Sequence, residues 1–225
     1  MTRKQTLLGS SLGAAPVLTK PWNLEKKKEL EDDLQRLATL VEKPELTRVE
    51  VQWGWHLLTQ LRHQMPESPD VAKLAGVLAH RVHDNTAAER YLCEAREKAP
   101  DDVEVHTNLA VALRAQNKLA EAMDCLEAAE RLDPQSPIVQ RNYGNLLCDQ
   151  GAYGSAAERY RKALRRRPDH RATWMSFSYA LARDRKVADA INALNEARGQ
   201  GLDHQLMLRM VGQWLLSHMR GSDAI

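Results

Sequence analysis

The chain lacks the residue patterns that mark most enzymes, metal sites and membrane proteins. Its 225 residues contain no glycine-rich phosphate loop after a strand, no nucleophile elbow and no paired cysteines with zinc-ligand spacing. No stretch approaches the roughly 18 consecutive apolar residues of a membrane span. We therefore predict a non-enzymatic protein that needs no cofactor and does not cross a membrane.

An excess of charge of one sign is also missing. There are 32 basic and 30 acidic residues, which give a formal charge of +2, so any site for nucleic acid or an acidic membrane has to be local. The three cysteines, Cys93, Cys125 and Cys148, are odd in number and fall on predicted helices. We interpret them as small buried residues in a reducing compartment, and we expect the protein to be cytoplasmic.

What the chain does contain is a period of 34 residues. Alanine recurs on this period at 88, 122, 156 and 190, alanine again at 95, 129, 163 and 197, and proline at 100, 134 and 168. Small residues recur at Gly76, Ala110, Gly144 and Ser178, and bulky residues at Leu92, Leu126, Tyr160 and Leu194. Small positions meet bulky ones where two helices cross closely, so the period predicts stacked helix pairs.

The pattern resembles the tetratricopeptide repeat, whose period, order of small and large residues and closing proline match over about 69–204. The resemblance implies an all-α fold, a right-handed α-solenoid of about four helix pairs. Its repeats would occupy 69–102, 103–136, 137–170 and 171–204. Leu202 stands where the family has proline, and we expect Gly199 and Gly201 to end the last repeat instead.

The segments before the repeats depart from this pattern. Residues 1–21 are rich in Gly, Ser, Thr and Pro and predict a disordered tail, with a targeting segment as the alternative. We expect 22–68 to form a divergent N-terminal helical cap, with a first helix capped by Asn23 and stopped at Lys43-Pro44. Pro44 would lie in the first turn of the second helix, whose predicted apolar face consists of Trp53, Leu57, Leu58 and Leu61.

Residues 205–225 predict a C-terminal apolar capping helix and a short tail. Apolar residues cover more than one face of this helix, so it is either packed as core or exposed as a surface for a partner or a second copy. Leu208 and Leu216 lie two helical turns apart on one face and are the candidate interface residues.

The resemblance also implies a binding site, because the first helices of stacked repeats line a concave groove that can hold an extended partner segment. The residues that it assigns to the groove are Lys73, Val77, His80, Asn108, Val111, Arg114, Arg141, Asn142, Asn145, Met175, Tyr179 and Arg183. The family's carboxylate clamp is matched only at Lys73 and Asn108, since Val77, Ile138 and Asn142 replace its other polar residues. The alternative interpretation is that these residues are ordinary solvent-facing positions of the helices and bind nothing.

Two clusters of charged or metal-binding residues offer other sites. Seven basic residues lie on the outer face over 159–171: Arg159, Arg161, Lys162, Arg165, Arg166, Arg167 and Arg171. They could meet phosphates, although cations are also common at solvated helix ends, and we expect neither nucleic acid nor membrane partners.

His80 and His83 share one helical turn but lack a third ligand, so we expect no metal.

The leading prediction is an adaptor or chaperone that captures another protein or a peptide segment in the concave groove. One alternative is a scaffold or assembly subunit that associates, or self-associates, through the apolar C-terminal helix. The other is an RNA- or membrane-associated factor that uses the basic cluster at 159–171.

Overall fold

Ten α-helices in five consecutive pairs form the part of the chain that the computed structural model describes, residues 24–201 and residue 212. The helices are α1 (Leu24–Glu42), α2 (Arg48–Gln64), α3 (Pro69–Arg81), α4 (Asn85–Lys98), α5 (Val103–Ala115), α6 (Leu119–Leu132), α7 (Pro137–Asp149), α8 (Tyr153–Arg166), α9 (Arg171–Arg183) and α10 (Val187–Gly199). Each helix packs on the next, and first helices of successive pairs also touch, as in α3, α5, α7 and α9. This confirms the predicted all-α solenoid.

The crossings of α3 with α4 and of α7 with α8 depend on a small residue facing a large one, as the period predicted. A Cβ atom on Gly144 would lie 2.7 Å from Cε1 of Tyr160, and one on Gly76 would lie 2.5 Å from Cγ of Leu92. Tyr160 and Leu92 are both fully buried. Real Cβ atoms do not approach other heavy atoms so closely, so these crossings have room only for hydrogen.

The turn that joins α3 to α4 recurs with the same backbone in the next three pairs. Its central residue has a positive φ each time, at His83 (65°), Asn117 (60°), Gly151 (76°) and Arg185 (63°). The amide that follows donates to the carbonyl five residues earlier, as from Asp84 to Ala79 at 2.9 Å. This left-handed cap satisfies carbonyls at the helix end, and it occurs here even where the residue is not glycine.

A second recurring bond ties each of the last three repeats to the proline that closes the repeat before it. The fourth residue of the repeat donates a side-chain N–H to the proline carbonyl: His106 Nε2 to Pro100 at 2.7 Å, Gln140 Nε2 to Pro134 at 3.2 Å and Trp174 Nε1 to Pro168 at 2.7 Å. A carbonyl can only accept, so Nε2 of His106 carries the proton. Histidine, glutamine and tryptophan therefore make the same hydrogen bond in three successive repeats.

The N-terminal pair corrects two predictions. Pro44 does not lie in the first turn of α2, because Thr47 caps that helix: its hydroxyl accepts from the Glu50 amide while Glu50 accepts from the Thr47 amide. Trp53 does not join the apolar face, since it is 42% exposed, whereas Leu57, Leu58 and Leu61 are buried as predicted. The predicted cap at Asn23 lies outside the described residues.

The cysteines also differ in part from the prediction. Only Cys125 is buried, whereas Cys93 and Cys148 are partly exposed, and all three thiols are free. Helix pairing leaves these two at the margins of the core. Burial raises the pKa of each thiol above its ordinary value, so none is an activated thiolate.

Replacing Gly144 by alanine should destabilise the protein because the new methyl group meets the buried ring of Tyr160. Gly199→Ala is the matched control, since no described atom lies within 4 Å of the Cβ position there. Both variants gain helix propensity, so their difference isolates the clash, which should lower the free energy of unfolding by about 1–3 kcal/mol. Urea denaturation measures it, and equal stability of the two variants would contradict this helix crossing.

The bond at the repeat joint predicts that His106→Leu is more harmful than His106→Gln. Leucine leaves the Pro100 carbonyl without its donor and should cost about 1 kcal/mol or more, while glutamine can donate as Gln140 does one repeat later. Urea unfolding of both variants tests the bond. If glutamine and leucine were equally destabilising, the imidazole would contribute by packing alone.

Candidate partner-binding groove

The first helices of the N-terminal pairs lie side by side and line an open cavity of about 540 Å3. Side chains from α1, α3, α5 and the start of α7 line it. The lining combines apolar groups such as Val77 and Ile138 with polar groups such as Thr107 and Asn108. An elongated, mixed surface of this kind suits an extended polypeptide more than a compact small molecule.

Three of the predicted groove residues, Lys73, Val77 and Asn108, line this cavity directly. His80 does not, because it lines a separate depression beside the connection between α1 and α2, where its Nδ1 contacts Oδ1 of Asn85 at 2.7 Å. The other predicted residues lie on the first helices α5, α7 and α9: Val111, Arg114, Arg141, Asn142, Asn145, Met175, Tyr179 and Arg183.

Lys73 is held by carboxylates of its own chain. Its ammonium lies 3.0 Å from Asp102, 3.1 Å from Glu104 and 3.3 Å from Asp70, and its side chain is 16% exposed. Burial lowers the pKa of Lys73, but the hydrogen bonds to Asp102 and Glu104 outweigh burial and raise the pKa above its ordinary value. The lysine at the clamp position is thus occupied by internal partners, and it is poorly placed to bind a partner's carboxylate.

Several predicted groove residues are also engaged within the chain. Arg114 pairs with Asp149 at 2.8 Å. Asn145 accepts a hydrogen bond from the hydroxyl of the buried Tyr160 at 2.8 Å, so this amide anchors the crossing of α7 and α8. Asn142 is itself buried. These side chains shape the groove wall more than they offer hydrogen bonds to a ligand.

Arg141 differs from them. It lines a small cleft of about 110 Å3 between the third and fourth repeats, together with Ile138, Arg167 and His170. No carboxylate of the described residues lies within ion-pair distance of its guanidinium. Burial lowers the pKa of Arg141, and the nearby charge of Arg167 lowers it further, so the guanidinium lies beside a second cation without a carboxylate partner among the described residues.

An aromatic cluster closes the far end of this face. Tyr153 and Tyr179 meet edge to face with ring centroids 6.5 Å apart. The Arg183 guanidinium lies 4.4 Å from the Tyr153 centroid and donates to the Tyr179 hydroxyl at 2.7 Å. Tyr153 begins α8 and was not among the predicted residues, because only its position after the turn brings it against a first helix.

The sequence analysis also missed the contribution of α1. Glu31, Leu34, Gln35, Ala38, Val41 and Glu42 line the cavity from this helix. Their spacing of three and four residues is a helical stripe that could have been read from the sequence. The 19-residue α1 is longer than the 13-residue α3. The repeat pattern of the family covers helices of the shorter length, so it assigned no groove residue to α1.

The basic cluster at 159–171 is partly used within the fold. The guanidinium of Arg159 pairs with Glu130 and lies 4.0 Å from the Tyr143 ring centroid, and Arg166 donates to Gln135 at 2.7 Å. Arg167 belongs to the cleft of Arg141. The remaining cluster is therefore smaller than the sequence suggested.

Neither a metal site nor a membrane span appears within the described residues. No group of three or more His, Cys, Asp or Glu side chains there could hold a metal ion. No helix over 24–201 is both long and apolar enough to cross a bilayer. The candidate interface residues Leu208 and Leu216 lie outside the described part of the chain.

Stacked helix pairs around an open concave groove define a helical repeat protein of the solenoid class. The tetratricopeptide repeat family matches residues 73–137 and 144–203, more than half of the sequence. The chain belongs to the tetratricopeptide repeat family. Repeats of this family typically bind proteins or peptides and are typically non-catalytic.

Among curated proteins, Protein FlbA of Caulobacter vibrioides is 31% identical over 116 residues, which cover 52% of this chain and 20% of FlbA. The chain thus spans about a fifth or less of the curated relatives that it matches. Among solved structures, pilF of Pseudomonas aeruginosa has a TM-score of 0.69 at 18% identity. The match covers 88% of this chain and 87% of the pilF chain. YrrB, a tetratricopeptide protein with an unusual peptide-binding site, has a TM-score of 0.58 at 15% identity. The match covers 83% of this chain and 93% of YrrB.

Removing the Lys73 ammonium should destabilise the fold. Lys73→Met leaves the partly buried Asp102 without its cation and should lower the free energy of unfolding at neutral pH by about 1–2 kcal/mol, because solvent screening keeps the loss below that of a fully buried pair. Burial raises the pKa of Asp102, but the hydrogen bond from Lys73 outweighs burial and lowers it below the ordinary value of 3.8. The stabilisation is therefore present above that pH and is lost as the pH falls below it.

Urea unfolding at pH 7 and at about pH 3 measures this effect, since the ordinary pKa of Asp102, 3.8, lies between these two values. Lys27→Met is the matched control, because Lys27 forms only an exposed contact with Glu31 at 3.7 Å. If Lys73→Met and Lys27→Met were equally stable at pH 7, Lys73 would be available to a ligand after all.

Proposed function

We propose that this protein is a non-enzymatic adaptor or chaperone that holds an extended segment of a partner protein in its concave groove. The observation that carries the proposal is the continuous cavity lined by α1, α3, α5 and the start of α7. Its length across several helices and its alternation of apolar and polar side chains match an unfolded peptide segment. The three free thiols suit a reducing compartment such as the cytoplasm.

Two residues are the central contacts of the proposed site. Asn108 is partly exposed, lines the cavity and has no side-chain hydrogen bond within the described residues, so its amide can bind the main chain of a partner. Ile138 is 43% exposed on the adjacent helix and offers an apolar contact to a partner side chain. The structural similarity to YrrB supports peptide binding as a use of this fold.

Truncating both contacts should weaken partner capture while the fold is kept. For Asn108→Ala with Ile138→Ala we expect a loss of affinity of about ten-fold or more, since two interface contacts of about 1 kcal/mol each disappear. Affinity capture from cells that express the protein, followed by mass spectrometry, identifies partners, and titration with a purified partner gives the affinity.

The matched control is Val49→Ala with Asn192→Ala, which removes one exposed apolar residue and one exposed amide from the second helices α2 and α10. Capture should be unchanged in this control. If the groove variant kept full affinity for every partner that wild type captures, the groove would not be the binding site.

A further inference from the structure

The groove is electrostatically divided, and from this division we infer that its partner segment carries basic residues at one end and a carboxylate at the other. The basic residues would lie along α1, α3 and the start of α5, and the carboxylate would bind Arg141. This inference rests on the proposed function, because it specifies what the groove holds.

The N-terminal end of the groove is acidic. Four carboxylates line the cavity, those of Glu31, Glu42, Asp70 and Glu104. Lys73 is the one cation among the lining residues, and its charge is balanced by Asp70, Asp102 and Glu104. A cationic segment in this half would be attracted by the carboxylates that remain unbalanced.

Three other cations lie near the acidic end, and each has a contact within the chain. Lys43 pairs with Glu50 at 2.6 Å, and Arg81 donates to the carbonyls of Val41 and Pro44, both at 3.1 Å. Lys27 makes only a long, exposed contact with Glu31 at 3.7 Å. None of these three lines the cavity.

The opposite end is cationic, and the partly buried Arg141 lies at its centre. Asp149, an acidic group near this end, is neutralised by Arg114. His170 does not add to the positive charge, because its Nδ1 accepts a hydrogen bond from the Thr173 amide. A carboxylate in the cleft could form a two-pronged pair with the Arg141 guanidinium and relieve its repulsion from Arg167, which lines the same cleft.

The two ends belong to one surface. Ile138 lines both the large cavity and the cleft of Arg141, so a single segment can pass from one to the other. From α3 to α7 the segment crosses two helix spacings, or about 20 Å. An extended chain covers that distance in about six residues, so the basic and acidic groups of the partner should be separated by about that number.

Labelled peptides of identical composition test this division. Each is about 12 residues long, enough to span the groove in extended form, and has capped termini so that only side chains carry charge. Two peptides place lysines at one end and glutamates at the other, in either chain direction, around a centre of serine and leucine. The third alternates lysine and glutamate. Fluorescence anisotropy gives the affinity of each peptide.

We expect one charge-segregated peptide to bind about ten-fold or more tightly than the alternating peptide in about 0.05 M salt. The difference should shrink in about 0.5 M salt, because screening weakens the pairing. Arg141→Glu should remove most of the preference, and so should Asp70→Lys with Glu104→Lys. Arg141→Gln repeats the test without introducing a new charge.

Charge-matched controls lie on the outer helices. Glu97→Lys with Glu158→Lys and, separately, Arg165→Glu change net charge by the same amounts at exposed positions of α4 and α8. They should leave the preference intact. Circular dichroism and thermal melting establish that each variant is folded.

Equal affinities for the three peptides, no binding by any of them, or a preference that survives Arg141→Gln and Arg141→Glu would overturn the inference. The proposed function fails differently, through retention of the native partner by Asn108→Ala with Ile138→Ala. Loss of the partner in that uncharged variant, without any effect of charge order, would leave the groove as the binding site and remove only its charge selectivity.

Discussion

The close crossing of the two helices within each repeat is the constraint on which the rest of the structure depends. Gly144 against Tyr160 and Gly76 against Leu92 bring the helix axes nearer than ordinary side chains allow. Once that approach is fixed, the chain has to reverse in a few residues, and the left-handed caps at His83, Asn117, Gly151 and Arg185 provide the reversal. The angle between the helices then orients each pair on the next and leaves the first helices on the concave side.

Periodicity made this much predictable from the sequence. The alanine and proline positions identified the repeats, and the pairing of small with bulky residues identified the crossings. The family resemblance assigned Lys73, Val77 and Asn108 to the groove, and these three residues line the cavity beside α1, α3 and α5. Such features repeat because each unit must satisfy the same packing, so four copies reinforce a signal that would be weak in one.

The features that could not be predicted are those that do not repeat. Asp102 lies in the connection before α5, and its contact with Lys73 follows from how two pairs stack, which no single repeat encodes. Asn145 was assigned to the ligand, yet its partner is the hydroxyl of Tyr160, and the equivalent residues Leu92, Leu126 and Leu194 carry no hydroxyl. Pro44 precedes α2 because a local capping box at Thr47 sets where that helix begins. The side-chain bond to the closing proline is the exception: it does repeat, but His106, Gln140 and Trp174 are so unlike that the sequence does not reveal it.

The stacking order has a consequence for how the chain acquires its structure. Helices that pack against one another are neighbours or next-but-one neighbours in the chain. No long loop has to close before a contact forms, so the entropic barrier to each step is small. A helix pair can therefore complete its packing on the preceding pair while later residues are still being synthesised. During translation, the acidic half of the groove would be assembled before the arginine-bearing half exists.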